Sequence, residues 1–594
     1  YRRFFDVNTL IGLRVETPEV FEDTHRLIIE LVQSGAVDGL RIDHVDGIQD
    51  PEAYLRRLRE RCPCYVVVEK ILQDGERLPE GWPVDGTSGY DFLNLVGGLF
   101  INPRAEALLT QFYASFAGVT DSYADVAREK RLLVLREGLG SDGNRLAELL
   151  LQICERHRRH RDYTRHMLTE AVRELLASLT VYRTYVRPDR QEVGEADRTT
   201  IDGAIAEAKR RRPDLDAELF DFLRALLTLT VRGELESAFV NRFQQLGTAV
   251  MAKGVEDTAF YCYNRFVALN EVGGNPARFG VSPDEFHQRM AEVQQRRPLT
   301  MNTTATHDTK RGEDVRARLA VLTECPATWT SAVQRWSELN ERHRTASLPD
   351  RNTEYLYYQT LVGAWPLSTD RILAYMEKAT REAKLHTSWT APNEEFETAL
   401  RRFVERTLED SEFVGAVKAF VDSIAGPGRV VSLAQTLIKL TAPGVPDIYQ
   451  GTELWSLSLV DPDNRRPVDY VLRRRLLTEA ANASPEQVLE RMDEGFPKLW
   501  MIQRALRVQA NGCYQRLNAE GEHAHHVIAF GRGGNLITIV PRLAQELRGG
   551  WGETVLPLPE GRWRNVFTDE LHSGSDRLAH LFARFPVALL AREP

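Results

Sequence analysis

Long apolar runs are missing from this 594-residue chain. None approaches the roughly 20 apolar residues that a membrane-spanning helix needs, so no membrane partner is expected. Cysteine is scarce and scattered. Cys62, Cys64, Cys154, Cys262, Cys325 and Cys513 form no framework, and Cys62–Cys64 is a C-x-C pair without zinc-knuckle spacing. With no secretory signal legible, a reduced, cytoplasmic setting is expected. An excess of either charge is also missing. Lys and Arg total 76 against 85 Asp and Glu, a net charge of −9, which gives no global reason to bind nucleic acid or an anionic surface. There is no Walker loop, no G-x-S-x-G and no dinucleotide fingerprint at a strand–helix junction, so nucleotide-dependent and serine-hydrolase chemistries are not expected. No metal or cofactor is expected either. The histidines of "ERHRRHRDYTRH" and "EHAHH" read as solvated, the first on an Arg-studded helix face. The "DPDN" stretch carries Arg466 where an EF-hand loop needs glycine.

What is present is an alternation of helix and strand. Apolar positions Val20, Leu27, Ile28 and Leu31 recur at helical spacing and stop at Ser34-Gly35. "AVDGLRID" then reads as a strand, "PEAYLRRLRER" as a helix and "YVVVEKI" as a β-branched strand. Short connections between them predict a parallel α/β sheet. Further strands are expected at 248–253, 302–307 and 446–450. Residues 103–245 are rich in Leu, Ala, Glu and Arg at helical spacing and read as a helical insertion. After residue 510 short alternating segments ("HVIAFG", "LITIVP", "ETVLPL") predict an antiparallel β domain. The expected organisation is therefore barrel strands in 1–102, the helical insertion in 103–245, later barrel strands in 246–510 and a β-sandwich-like domain in 511–594.

In a parallel barrel the reactive side chains sit at the C-terminal ends of strands. Asp43 ends "GLRID", Glu69 ends "VVVE", and His307 and Asp308 end "TTATHD". Arg41, two residues before Asp43, shares its face of the strand and favours an ionised carboxylate. A Glu closing an apolar strand is desolvated, its pKa raised, and suits a general acid. Two such carboxyls are the machinery of retaining glycoside chemistry.

In chain order, "GLRIDHVDG", "VVVEK" and "ATHDTKR" resemble the conserved segments of the α-amylase superfamily, glycoside hydrolase family 13. "YRRFFDVNTLIGLRVE", "GTSGYDF", "MAKGVEDTAFY", "LNEVGGNP" and "LVDPDNRRPVDY" narrow the resemblance to its maltooligosyltrehalose synthase branch. The resemblance implies a (β/α)8 barrel, Asp43 as nucleophile, Glu69 as general acid/base and Asp308 as the residue that holds substrate hydroxyls. Arg41, His44 and His307 are implied as companions at the substrate. Tyr90, Asp91, Lys253, Glu256, Asp461, Asp463, Asn464, Arg465 and Arg466 are candidates for an acceptor pocket. The implied activity is an isomerisation of the reducing-end α-1,4 bond of a maltooligosaccharide or α-glucan to an α,α-1,1 bond. A trehalose-releasing hydrolase is the implied functional partner.

The chain departs from this family in one respect. The first conserved region is absent, and five strands are counted where a closed barrel needs eight. The expectation is an incomplete barrel whose first strands would precede Tyr1, poorly stable and inactive alone. A hydrolase of the same superfamily and an inactive α-glucan-binding protein remain as alternatives.

Overall fold

The computed structural model describes residues 3–4, 7–547 and 550–593. The chain divides into two compact units, Tyr1–Thr87 with Asp121–Tyr263, and Ser88–Thr120 with Asn264–Pro594.

The first unit holds a parallel sheet of three strands, β1 (Gly39–Ile42), β2 (Tyr65–Val68) and β3 (Gly86–Thr87), in that spatial order. Gly39 pairs with Tyr65, Ile42 with Val68, and Val68 with Thr87. Val66, Val67 and Val68 are all buried, as the central strand of a parallel sheet requires. Two helices flank these strands in sequence. Helix α1 (Pro18–Gln33) opens on a proline, and α2 (Pro51–Arg61) is capped by the Asp50 carboxylate, which accepts from the Ala53 amide at 3.0 Å. Their apolar faces meet β1 and β2 in one core that includes Phe21, Ile29, Val45, Leu55 and Val68.

Residues 121–263 are mostly helical and close around Leu146, Leu150, Leu175, Leu223, Phe239 and Phe243, whereas the insertion was expected at 103–245. Their last long helix, α3 (Glu234–Met251), runs on without a break into a π-helix, Ala252–Ala259. The strand expected at 248–253 is therefore helix. Buried residues surround α3 on every side near its end, so the apolar run shows no helical alternation and imitates a strand. Among the parallel strands, the one that sequence reading missed is β3, whose two residues are too few to carry a pattern. His157 and His160, expected on a solvated helix face, lie beyond the helix Gly140–Arg156 and pack on Phe222 at ring-centroid distances of 5.1 and 4.0 Å.

The second unit contains a parallel pair, β4 (Met301–Asn302) and β5 (Val445–Pro446). Both are shorter than the expected 302–307 and 446–450, because the chain leaves the strand for loops that carry polar residues. The helix Tyr90–Gly98 belongs to this unit, and its N-terminal Gly89 is required there. With φ at 96°, a Cβ at Gly89 would lie 2.7 Å from the Met301 carbonyl oxygen. The 31-residue helix α4 (Ser411–Thr441) leads into β5.

The C-terminal region forms one six-stranded antiparallel sheet and a two-stranded ladder, Val555–Pro557 with Ser575–Arg577. Its strands are β6 (Tyr514–Leu517), β7 (Val527–Arg532), β8 (Leu536–Pro541), β9 (Trp563–Asn565), β10 (Leu571–His572) and β11 (Ala588–Arg592), in the order β10-β9-β11-β8-β7-β6. Arg532 of β7 donates to the Thr441 carbonyl at 3.1 Å, and the Thr538 and Thr441 hydroxyls bond at 2.8 Å. These bonds anchor the sheet on the end of α4.

Candidate active site

The parallel pairing of β1 and β2 delivers Asp43 and Glu69 one residue beyond their strands, and the Glu69 amide continues the ladder to the Ile42 carbonyl at 2.8 Å. Arg41 bridges the two carboxylates. Its Nη1 donates to Asp43 Oδ1 at 2.6 Å and its Nη2 lies 3.5 Å from Glu69 Oε1. The main-chain N–H of His44 donates to Glu69 Oε2 at 2.8 Å.

The environments of the two carboxyls differ. Burial pushes Glu69 up to about 7, and the neighbouring Asp43 charge and hydrogen bond push the same way against the His44 amide and Arg41. Burial also works to raise Asp43, but the hydrogen bonds from Glu69 and Arg41, with the charges of Arg41 and His44, outweigh it and hold Asp43 below the usual carboxylate range. The pair thus shares one proton, carried by Glu69. An ionised carboxylate beside a protonated one is the arrangement that a nucleophile and a general acid require.

A pH prediction follows from the sign of these shifts. Activity needs Asp43 ionised and Glu69 protonated, so kcat/KM is expected to fall above a basic limb near the Glu69 value of about 7. A pH–rate profile without that limb would separate Glu69 from the acid role.

His44 serves the site through its backbone. It adopts the left-handed conformation, φ 46°, and its N–H meets Glu69. Its ring lies against Gly47, where a Cβ would approach Nε2 to 2.6 Å. Behind the pair, Lys70 is fully buried, 3.3 Å from Asp46 Oδ2 and 2.7 Å from Glu76 Oε1, with the rings of Tyr182 and Tyr185 alongside. Lys253 and Glu256 lie on the π-helix. Lys253 is half-buried and pairs with Asp257 at 3.0 Å, while Glu256 is buried and accepts from the Tyr182 hydroxyl. Gly254 between them lets the helix approach Arg131, whose Cα would sit 2.8 Å from a Cβ there.

In the second unit, His307 and Asp308 lie past β4 on a turn closed by threonines. The Asp308 amide donates to Thr306 Oγ1 at 3.1 Å, and Thr309 Oγ1 donates to the Thr306 carbonyl at 3.0 Å. Three sets of contacts fix this turn. Tyr90, 1 % exposed, has no ring face open to a sugar, and its hydroxyl bonds Thr306 Oγ1 at 2.9 Å. Asn464 Nδ2 donates to the His307 carbonyl at 2.8 Å. The buried Glu271 carboxylate accepts from the amides of Lys310 (2.7 Å) and Arg311 (3.2 Å) and from Arg316 Nη1 (3.1 Å). Glu271→Gln is expected to destabilise the fold by about 3–5 kcal/mol, because it leaves the Arg316 guanidinium buried without its charge partner. A denaturant midpoint close to wild type would contradict this.

The rest of the "DPDNRR" loop is held within itself and to Arg371. Arg371 makes a bidentate bond to Asp463, both contacts at 2.8 Å. Arg466 lies 3.1 Å from the same carboxylate, and Arg465 pairs with Asp461 at 2.7 Å. The side chains of Arg465 and Arg466 are about half-exposed. Asp91 sits half-buried in the first turn of its helix.

No family model matches the chain. Whole proteins do. A curated protein of Mycobacterium tuberculosis, provisionally named a maltooligosyl trehalose synthase, is 38% identical over 610 residues, covering all of this chain and 74% of its own length. The solved maltooligosyltrehalose synthase of Arthrobacter ramosus superposes with a TM-score of 0.91 at 38% identity, over all of this chain and 75% of that one. The chain belongs to the maltooligosyltrehalose synthase family. A Sulfolobus tokodaii structure, described as a hypothetical maltooligosyl trehalose synthase, agrees at a TM-score of 0.80 and 30% identity, covering 74% of that chain. The fold is thus an α-amylase-type barrel enzyme, helix-rich, with a C-terminal antiparallel sheet.

Within this chain, sequence reading did not single out Lys70, Glu271 or Arg371. Lys70 had a signal, since a lysine that follows a buried strand and the Glu69 carboxyl is out of place unless paired. Glu271 lies in the quoted "LNEVGGNP" segment, yet nothing in the sequence ties it to partners 39 residues away, and Arg371 had no signal, its partner lying 92 residues away.

Proposed function

We propose that this chain rearranges the reducing end of a maltooligosaccharide or α-glucan. The terminal α-1,4 bond becomes an α,α-1,1 bond, giving a maltooligosyl trehalose. The observation that carries this reading is the pair of Asp43 and Glu69 carboxyls at the ends of adjacent parallel strands, bridged by Arg41, in a chain of this family.

Glu69 protonates the glycosidic oxygen while Asp43 attacks the anomeric carbon, forming a glycosyl-enzyme. The freed glucose stays bound and turns. Glu69, now a base, takes the proton from its anomeric hydroxyl, whose oxygen attacks the glycosyl-enzyme on the same face and restores the α configuration. Water must lose this second step to the sugar, so the acceptor has to be enclosed. Asp308 is assigned to the substrate hydroxyls, with His307 beside it. Lys253, Asp91, Arg465 and Arg466 are assigned to acceptor binding. For Tyr90, Glu256, Asp461, Asp463 and Asn464 the support is for shaping the loops that carry these groups, given the bonds they already make. The product fits a partner hydrolase that releases trehalose, in the cytoplasm.

Incubation with maltopentaose tests the reading. Loss of reducing ends without shorter products supports isomerisation. New reducing ends support a hydrolase of the same superfamily, and no turnover by the full-length protein, with maltopentaose still bound, supports a glucan-binding role.

A further inference from the structure

We propose that Arg183 is a positioning residue for the reaction. From the helical region it grips the turn that follows Asp43 and sets the His44 amide against Glu69. This rests on the reading of Asp43 and Glu69 given above.

Arg183 is 2 % exposed, so its guanidinium is buried. Its hydrogen bonds among the described residues all go to main-chain carbonyls. Nη1 donates to Asp46 (2.8 Å) and Ile48 (2.6 Å), Nη2 to Gln49 (3.2 Å), and Nε to Thr184 (3.0 Å). Gln245 of α3 donates to the carbonyl between them, that of Gly47, at 2.9 Å. Four consecutive carbonyls, 46 to 49, are thus held by two side chains of the helical region.

A planar fork that donates in several fixed directions suits this task better than an ammonium point charge. The fork is itself fixed. It lies 5.1 Å from the centre of the Tyr185 ring, whose hydroxyl donates to the Asp46 carboxylate. Gln244 pins the same segment to α3 through the Thr184 hydroxyl (3.0 Å) and the Val186 amide (2.7 Å).

The consequence reaches the site through His44. Its left-handed backbone is disfavoured for a residue with a side chain, and it persists only if the surroundings impose it. The N–H of this same residue meets Glu69 Oε2, 2.8 Å away, so the donor to the acid is the first peptide of the constrained turn. The His44 ring is packed on Gly47, the residue whose carbonyl Gln245 holds. Releasing carbonyls 46 to 49 therefore frees His44 to relax, and with it the geometry of the acid and the nucleophile.

The test uses Arg183→Met, Arg183→Lys and Gln245→Leu in the full chain, with two readouts. Misplacement of reacting groups by about 1 Å costs on the order of 100-fold in rate. Arg183→Met is expected to lose about that much kcat on maltopentaose with KM within about threefold, Gln245→Leu about tenfold, and Arg183→Lys is expected to recover part of the loss. Hydrogen exchange of amides 44–49 is expected to quicken in Arg183→Met and Gln245→Leu while the β2 amides stay protected. Unchanged exchange at 44–49 in both variants, or a loss expressed in KM with kcat intact, overturns the proposal. Should Arg183→Met fail to fold, Arg183→Lys and the half-buried Gln245→Leu decide by the same criteria. If the wild-type chain shows no isomerisation, the reaction reading fails, and the exchange data alone then decide the positioning role.

Discussion

Asp43→Asn is expected to remove turnover of maltopentaose, lowering kcat by about ten-thousandfold or more, the scale seen when a covalent nucleophile is lost. Asn is nearly the same size, so the loss cannot be assigned to a cavity. It keeps an oxygen that can accept from Arg41, but it lacks the negative charge that attacks the anomeric carbon. Thermal stability is expected to stay near wild type, because Asp43 is largely exposed, with 63 % of its side chain accessible. Retention of more than about a hundredth of the activity would mean that another group attacks.

Glu69→Gln is expected to cost about a thousandfold on maltopentaose, in the middle of the range for general acid–base catalysis. The distinguishing feature is recovery on an activated donor. A maltosyl fluoride leaves without a proton, so formation of the glycosyl-enzyme no longer needs the acid, while the second step still lacks its base. The variant should therefore accumulate the intermediate. The basic limb near pH 7 should vanish with the carboxyl. Stability should change with pH in a defined direction. A carboxyl raised from 4.5 to about 7 on folding binds its proton more tightly in the folded chain. Its contribution is thus full below the unfolded value and is lost as pH rises through about 7. Glu69→Gln should flatten that slope between the two values.

The two central carboxyls were legible in the sequence because each follows a short β-branched or apolar strand, and parallel strands display their last residues on one face. Arg41 was legible for the same reason, since two residues separate it from Asp43 on an alternating strand. The helical character of the middle of the chain and the C-terminal antiparallel sheet were legible from period, but the bounds of the helical region were not. Other parts were not. Residues 248–253 carry no alternation because the helix there is buried all round, and β3 is two residues long. Tyr90 looked like a sugar platform by type, yet its ring is buried and its hydroxyl holds Thr306. Asn464 and Asp463 looked like sugar ligands, yet they bond the His307 carbonyl and Arg371. Residue type announces what a side chain can bond but not whether a sugar or a neighbouring loop receives the bond. Arg183 lay within the 103–245 stretch expected to be a helical insertion, where nothing set it apart, and only the fold brings it to the Asp46 carbonyl.

The account stands most directly on the identity of the nucleophile. Trapping the Glu69→Gln chain with maltosyl fluoride, followed by proteolysis and mass spectrometry, is expected to place one glycosyl group on the peptide containing Asp43. A glycosyl group on another residue, or steady turnover of the fluoride with no covalent adduct on Asp43, would contradict it.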